Sequence, residues 1–490
     1  MKKQFALILL CGCLQTLAQQ HNGFIYSDYA GVISARLNPA VIANSPFKYD
    51  VNLANGNFYI TNNIGYLSES SDGSRGIRRF NDNQQRFLQG NASIGGFSAM
   101  LSLKNRATVA FQYQLRAVAS GIDISPDFVE QFGCLRTVEF AGSSVVGGSG
   151  DVAATSWHEF SLTYAGLLID NGYLRLKGGA TVKMANPIGS AVARVESFSY
   201  SSDDQGLVEV TEMLGQIGYS ANLNAYEQFD GSAPLTFPAG TGFKPAADIG
   251  LVYETVLFRD DPQTNLNTSY YADIRYEHRL GVSITDIGRL RFDYGSASFD
   301  VLGVLPQNAP IDFDTLLSGI GSVRQLRDSL ATLANVADLE GSYTVSMPTA
   351  LNVNYDYNMR NGWFLNASAQ LDMSAVMNAD YRIRYPNSIT LTPRYDTGLY
   401  GAYFPLYINF EGDAELGLGL RYGPLTVGTH SVGSLISAEP SSMGVFFSLS
   451  IHQLKSNAKK PYCFGRSGLG TAGTRRLRTP LYKRKKFLFF

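Results

Sequence analysis

The chain has 490 residues and a formal net charge of −1, and only 17% of its residues are charged, against roughly a quarter in ordinary soluble domains. Its 49 Gly, 28 Tyr and 29 Phe suit β structure with an apolar exterior. No run of about 18 apolar residues is present, which excludes a membrane-spanning helix, so a chain of this composition spans as strands or not at all.

Met1-Lys2-Lys3 supplies a positive start, Phe5 to Leu14 an apolar core, and Thr16-Leu17-Ala18 a small-x-small cleavage box. Residues 1–18 therefore read as an export signal, with the mature chain beginning at Gln19 or Gln20. A lipoprotein is the rival reading, because Leu10-Cys11-Gly12-Cys13 partly resembles a lipidation box, but the apolar core before Cys13 is short. Cleavage leaves Cys134 and Cys463, far apart in sequence, which form no disulfide framework.

From residue 47 to 451 the chain alternates apolar and polar residues with period two. Val109, Phe111, Tyr113 and Leu115 interleave with Gln112, Gln114 and Arg116, and Phe160, Leu162 and Tyr164 with Glu159, Ser161 and Thr163. After the turn signal Asp170-Asn171-Gly172, Leu174, Leu176, Ala180 and Val182 oppose Arg175, Lys177, Thr181 and Lys183. Ile274, Tyr276, Leu280, Val282 and Ile284 oppose Arg275, Glu277, Arg279, Ser283 and Thr285. Leu351, Val353, Tyr355 and Tyr357 oppose Asn352, Asn354 and Asp356, and past Arg360-Asn361-Gly362 the partner run sets Leu365, Ala367, Ala369 and Leu371 against Asn366, Ser368, Gln370 and Asp372. Leu416, Leu418 and Leu420 oppose Glu415 and Arg421, and Val445 to Ile451 makes the closing strand. Successive side chains on a strand face opposite ways, so each strand has one oily and one wet face.

These features predict an all-β fold, an antiparallel transmembrane β-barrel of about 14 strands, with 12–16 tolerable. Further turn signals are read at Asn55-Gly56, Lys104-Asn105-Arg106 and Asp286-Ile287-Gly288. The wet faces supply the candidate lumen lining, namely Arg116, Glu159, Arg175, Lys177, Arg275, Glu277, Arg279, Asp356, Asp372, Glu415 and Arg421. All the tight turns fall at one end, which places the start of the first strand, Lys48 to Leu53, at the other. Residues 19–46 are then expected to thread the lumen as a plug, since about 28 residues at up to 3.3 Å each can cross a membrane.

Long polar or glycine-rich connections are expected over 67–93, 120–155, 186–245 and 296–342, with helix signals at Ser125-Pro126-Asp127 and from Asp314, where Leu316, Ile320, Val323, Leu326, Leu330 and Leu333 recur at helical spacing. The tail 452–490 holds eleven Lys or Arg and no acidic residue, and is expected to be disordered. A soluble β-sandwich carries the same alternation. The oily faces recurring along nearly the whole chain, the export signal and the aromatic residues beside turns, as Tyr355, Tyr357 and Trp363 are, weigh for the membrane.

Several stretches resemble an uncharacterised family of outer-membrane barrels in Bacteroidota, itself distantly similar to long-chain fatty-acid channels and to barrel partners of the type IX secretion system. They are Arg36-Leu37-Asn38-Pro39-Ala40, Phe160 to Ala165, Leu176 to Lys183, Leu280 to Gly288, Met347-Pro348-Thr349-Ala350, Leu391 to Tyr395 and Leu420 to Leu425. The resemblance implies a barrel in the bacterial outer membrane and little about activity. Some family members carry a peptidoglycan-binding domain after the barrel, where this chain has its basic tail.

No Gly-x-Ser-x-Gly elbow, His-Glu-x-x-His pair or calcium loop occurs, and His21, His158, His278, His430 and His452 are dispersed. Gly468, Gly470 and Gly473 match a dinucleotide fingerprint by letters but lack its preceding strand. The expectation is a non-enzymatic barrel with no cofactor, metal or nucleic-acid partner: a plugged channel or uptake pore for small or hydrophobic solutes. The alternative is a scaffold for an outer-membrane or secretion complex. Outer-membrane lipid and a periplasmic or secretion-complex protein are the expected partners.

Overall fold

The computed structural model describes residues 23–69, 75–79, 84–103, 106–126, 142–226, 242–256, 276–306, 310–312, 316, 320–436 and 441–454. The export signal, Cys134, Cys463, Arg275, Asp127, Asp314 and the basic run beyond 454 lie outside these residues. Fourteen strands hydrogen-bond into one closed ring. They are β1 (Phe47–Asn62), β2 (Arg86–Gly95 continued by Ser98–Ser102), β3 (Thr108–Ile124), β4 (Ser144–Asp170) and β5 (Leu174–Ser202). Next come β6 (Lys244–Val256), β7 (Tyr276–Asp293), β8 (Ala350–Arg360), β9 (Trp363–Asp372) and β10 (Ser388–Asp396). The last are β11 (Tyr400–Tyr403 and Leu406–Asn409), β12 (Ala414–Leu416 and Leu418–Tyr422), β13 (Leu425–Thr429) and β14 (Ser442–Leu454). Every adjacent pair is antiparallel, and the ring closes where β1 pairs with β14 from Phe47↔Leu454 to Thr61↔Ser442.

The alternation sets the two faces. Leu162, Val182, Leu251, Val282, Leu391 and Val427 point outward and are exposed, while Glu159, Lys177, Lys183, Asn352, Asn354 and Thr392 are buried inside. Tyr253, Tyr355, Trp363, Tyr400 and Tyr422 are exposed near the short-turn end, and Phe243 and Phe410 near the other. Tyr253 and Phe243 are ten residues apart on one strand, about 33 Å along it and about 25 Å along the axis of a barrel tilted at ~40°, the height of a lipid-facing band.

Two turn signals are not turns. Asn55-Gly56 lies inside β1, where the ladder with β14 on one side and β2 on the other leaves the backbone no freedom to reverse. Gly56 is needed for space, because a Cβ there would strike the Phe447 ring. Asp286-Ile287-Gly288 is a bulge within β7: Ala247 pairs with Ile287 and Ile249 with Ile284, so Thr285 and Asp286 oppose Asp248 alone. Asp286 takes φ 57° there, and the bulge turns its carboxylate into the lumen. A second register shift sets Thr255 against His278 and Val256 against Tyr276, with Glu277 as the extra residue. Tyr276, assigned to the oily face by strict alternation, is consequently buried in the lumen.

Removing the Asn55 turn reverses the direction assigned to β1. Its start, the end of β14, and the tight connections around 103–107, 171–173, 361–362, 397–399 and 423–424 all share one end, whereas the short turn 410–413 sits at the other. The expected long connections over 120–155 and 186–245 are in large part strand, since β4 and β5 run for 27 and 29 residues. A membrane crossing takes about 9–11, so both strands project beyond the long-loop end. There β5 continues into a sheet with Val208–Tyr219, Phe299–Val304 and Ala334–Asp338. The helix signalled from Asp314 is not continuous: Ile320 to Ser322 are not helical and Leu333 lies past its end, and the helix over Val323–Leu330 is capped by Ser322 accepting from the Gln325 N–H.

The face assignment is testable on β8. Val353→Arg sets a charge against lipid at a cost of about 2–4 kcal/mol near midplane, and is expected to abolish the gel shift between unheated and boiled protein. Asn354→Arg, on the lumen side, is expected to lose less of that shift; equal loss in both would overturn the assignment.

Candidate functional site

The interior is occupied by the chain's own N-terminal segment. Gly23 to Ser45 form three short 3-10 turns, Phe24–Tyr26, Gly31–Arg36 and Pro39–Ile42. Asn38 starts the third, its Oδ1 accepting from the Ala40 N–H with Pro39 at the first position. Ala30, Ala35 and Ala43 are buried with Phe24, Val32 and Ile33 against Phe47, Met100, Tyr403 and Phe446. Small side chains let the segment lie close to the wall.

Its polar contacts reach nearly every side of the barrel. The Tyr26 hydroxyl donates to Ser368 Oγ at 2.7 Å, Ser27 bonds Asp396, and Arg279 Nη2 meets Asp28 Oδ1 at 2.6 Å. The Val32 N–H donates to Asp50 at 2.8 Å, and Arg36 donates to Gln112 and Asn55 at 3.1 and 2.8 Å. Asn38 Nδ2 donates to the Leu251 and Val282 carbonyls at 3.1 and 3.3 Å, and Ser283 Oγ to the Leu37 carbonyl at 2.6 Å. Three wall glycines on adjacent strands make this approach possible: a Cβ at Gly179 would collide with the Pro39–Ala40 backbone, at Gly250 with Asn38, and at Gly281 with Asn354.

Most buried charges of the wall are internally paired. Arg116 donates to both Asp286 oxygens at 2.7 and 2.8 Å and to Glu159 at 3.1 Å, over the Trp157 ring. Lys183 Nζ stands 2.6 Å from Asp286, 2.8 Å from Asp248 and 3.5 Å from Glu159. Glu254 takes Lys177 at 2.6 Å and Arg279 at 2.8 Å. Arg394 holds Asp356 through two bonds of 2.7 Å, and Arg421 reaches Asp396 at 2.9 Å. A buried charge left without its partner costs about 3–5 kcal/mol, so this network resists hydration and solute alike.

Of the residues assigned to the lumen from sequence, Arg116, Glu159, Lys177, Arg279, Asp356 and Arg421 join these clusters. Buried Arg175 stands 3.8 Å from Asp170 near the short-turn end, and Glu415 accepts from the Tyr59 hydroxyl at 2.8 Å. Glu277 is the half-buried bulge residue, so it does not continue the wet face. Asp372 lies at the end of β9, half-buried and bonded to the Ser374 N–H at 3.0 Å, at the rim and not in the lumen interior. Lys183, read on the wet face, is outside the candidate set, and Asp248, Asp286 and the glycine groove are missing from the sequence assignment. The bulge hides Asp286 behind a turn signal, while Gly179 and Gly281 were legible only as parts of recurring motifs.

Apart from Asp356, Arg394 and Asp396, and Asp372 at the rim, the inward positions of β8 to β11 are neutral. Asn366 pairs with Thr392, Ser368 with Thr390, Gln370 with Ser388, and Ser388 with Asn409. Asn352 and Asn354 flank them on β8. Asn366 Nδ2 and Oδ1, Thr390 Oγ1, Thr392 Oγ1, Ser388 Oγ, Asn352 Oδ1 and Asn409 Nδ2 are buried without a hydrogen-bond partner. Each such atom costs about 1–3 kcal/mol if it stays dry. A separate cavity of about 30 Å³, lined by Phe24, Ile33, Arg36, Asn91, Arg116 and Phe446, lies between plug and wall. Toward the long-loop end, Tyr343, Met347, Tyr381, Ile383 and Tyr385 pack with Trp157 and Phe292 and close the mouth. Among the described residues no group of three potential metal ligands is found.

The chain is similar to the toluene transporter TbuX of Ralstonia pickettii, at 10% identity over 86% of this chain and 94% of that one, with a TM-score of 0.40. A FadL homologue of Pseudomonas aeruginosa aligns at 14% identity over 88% and 95%, TM-score 0.36. The toluene transporter TodX of Pseudomonas putida aligns at 8% over 89% and 93%, TM-score 0.34. Likenesses this remote carry no argument, and the barrel stands on its own hydrogen-bonded ring. No curated protein matches the sequence. Residues 39–430, from the Pro39 turn against the glycine groove through β13, match the model of a family of unknown function, DUF5723, and the chain belongs to that family.

Proposed function

We propose that this protein is a non-enzymatic, plugged channel of the bacterial outer membrane. One observation carries the reading: the lumen is filled by a separate segment of chain laid against the wall, and not by wall side chains meeting across it. Barrels of about eight strands close on their own side chains, whereas wider rings leave interior space. A 14-strand ring therefore needs a filler, and residues 23–45, held to the wall by side-chain contacts and without strand pairing, are a filler that can be released. The oily exterior and its aromatic margins support the membrane location. The shared position of Phe47, Leu454 and most short turns supports entry of the plug from the periplasmic side, where short turns usually lie.

The alternative, a scaffold for an outer-membrane assembly, is favoured by the sheet that β4 and β5 carry beyond the barrel. In that case the filled lumen is permanent, and the projecting sheet is the working surface. Conductance separates the two. Intact protein in a planar bilayer is expected to be nearly closed, and a variant lacking residues 23–45 is expected to conduct steadily; a deletion variant that assembles and stays closed would favour the scaffold.

A milder variant tests the plug itself. Asn38→Ala removes a cap and two bonds to strand carbonyls, worth about 1–3 kcal/mol together, so the released plug should become about 5- to 150-fold more populated. The readout is opening frequency in single-channel records. In intact cells a cysteine at Ser34, buried in the plug, is expected to resist a membrane-impermeant thiol reagent and to react after denaturation. Ready labelling of folded protein would contradict the luminal position.

A further inference from the structure

The two halves of the lumen differ in kind. On β3 to β7 each buried charge has an opposite charge beside it, and the plug backbone lies in the glycine groove. On β9 to β11, next to the mutually paired Arg394 and Asp356, three inward rows carry only amides and hydroxyls: Asn366 with Thr392, Ser368 with Thr390, and Ser388 with Asn409. Among the described residues of these rows, Ser368 is bonded by the plug, through Tyr26. Asn366 is 0% exposed, yet neither its amide nitrogen nor its oxygen has a partner, and the hydroxyls of Ser388, Thr390 and Thr392 stand in the same condition. So many unmatched donors and acceptors on one contiguous patch are incompatible with a dry contact. Buried polar atoms in this number are satisfied by water or by a solute that replaces it.

We propose that this ladder is a hydrated, ion-excluding wall that binds small uncharged hydrogen-bonding solutes, of the class of polyols and simple amides, between the plug and β9 to β11. The inference rests on the channel reading for its role in transport, and on the ladder alone for its binding. Selectivity follows from the residue types. Amides and hydroxyls offer both donors and acceptors, which match a hydroxyl-rich or amide solute at any orientation. They present no countercharge, so an ion entering would lose its hydration without compensation. The neighbouring charges, Arg394 with Asp356 beside the ladder and the clusters across the lumen, are committed to one another and offer none either.

The test uses full-length protein with Cys134 and Cys463 replaced by serine and a single cysteine introduced by Thr390→Cys, with Ser388→Cys as a second probe of the ladder should the first fail to assemble. Ser283→Cys, on the charged half beside Leu37, is the dry control. Folded, heat-modifiable protein is exposed to neutral methyl methanethiosulfonate and to its sulfonatoethyl and trimethylammonioethyl analogues. The neutral reagent is expected to modify the ladder cysteine about tenfold or more faster than either charged reagent, and about tenfold faster than it modifies the control, because only the charged reagents must shed ion hydration. A ladder cysteine as inert as Ser283→Cys would show a dry wall and overturn the proposal. Equal rates with charged and neutral reagents would overturn the ion exclusion.

Glycerol and urea entry into liposomes reports on transport separately. Asn366→Leu combined with Thr390→Val is expected to lower glycerol entry at least severalfold. If the wild type passes no solute while the neutral reagent still selects the ladder, the channel reading fails and the binding wall stands. If solute passes in both proteins at the same rate, permeation runs elsewhere and the ladder has no part in it.

Discussion

Everything in this molecule follows from the requirement that backbone groups facing lipid be hydrogen-bonded within the protein. A sheet meets that requirement only by closing, and the pairing of β1 with β14 is where it closes. Closure at 14 strands then creates a second requirement, because a ring of that size encloses more space than inward side chains can fill. Residues 23–46 meet it from one end and the Tyr343 to Tyr385 packing from the other. The filler meets the polar parts of the wall with hydrogen bonds and the apolar parts, Phe47, Met100, Tyr403 and Phe446, with Phe24, Val32 and Ile33, and it is built of alanines and short turns because the space is narrow.

The wall is shaped to receive this filler. Gly179, Gly250 and Gly281 lie on three neighbouring strands and form a shallow groove under Asn38-Pro39-Ala40. Asn38 serves both partners at once, capping its own turn with Oδ1 and binding strand carbonyls with Nδ2. Beyond the groove the buried charges are gathered into compact clusters, with Asp286 reached by both Arg116 and Lys183. Asp286 has this position only because a bulge inserts it. Such clusters gain stability from mutual pairing only where geometry is well kept, so the bulge and the cluster depend on each other.

The alternation along the strands was enough to read a closed barrel of about 14 strands, the two faces of β3, β4, β5, β8 and β9, and the hairpins at Asn171-Gly172 and Asn361-Gly362. Those features are local: a two-residue period and a tight turn are set by neighbouring residues. Strict alternation failed at Tyr276 and Asp286, where an extra residue shifts the register and a period of two no longer tells inside from outside. Asn55-Gly56 misled for a related reason, since the dipeptide favours a turn but takes a straight strand when both its edges are paired.

The amino-acid sequence by itself determined that the chain makes amphipathic strands, that these close into a barrel with an oily outside, and that its N-terminal stretch is long enough to thread the inside. Only the tertiary structure decided which end the plug enters, which carboxylates meet which cations, and that a patch of unmatched amides and hydroxyls lines part of the lumen. These depend on strand register and on bulges of a single residue, and register is a property of pairs of strands far apart in the chain. A one-residue slip sends a side chain to the other face, so no count along a single strand could have placed Asp286 beside Lys183.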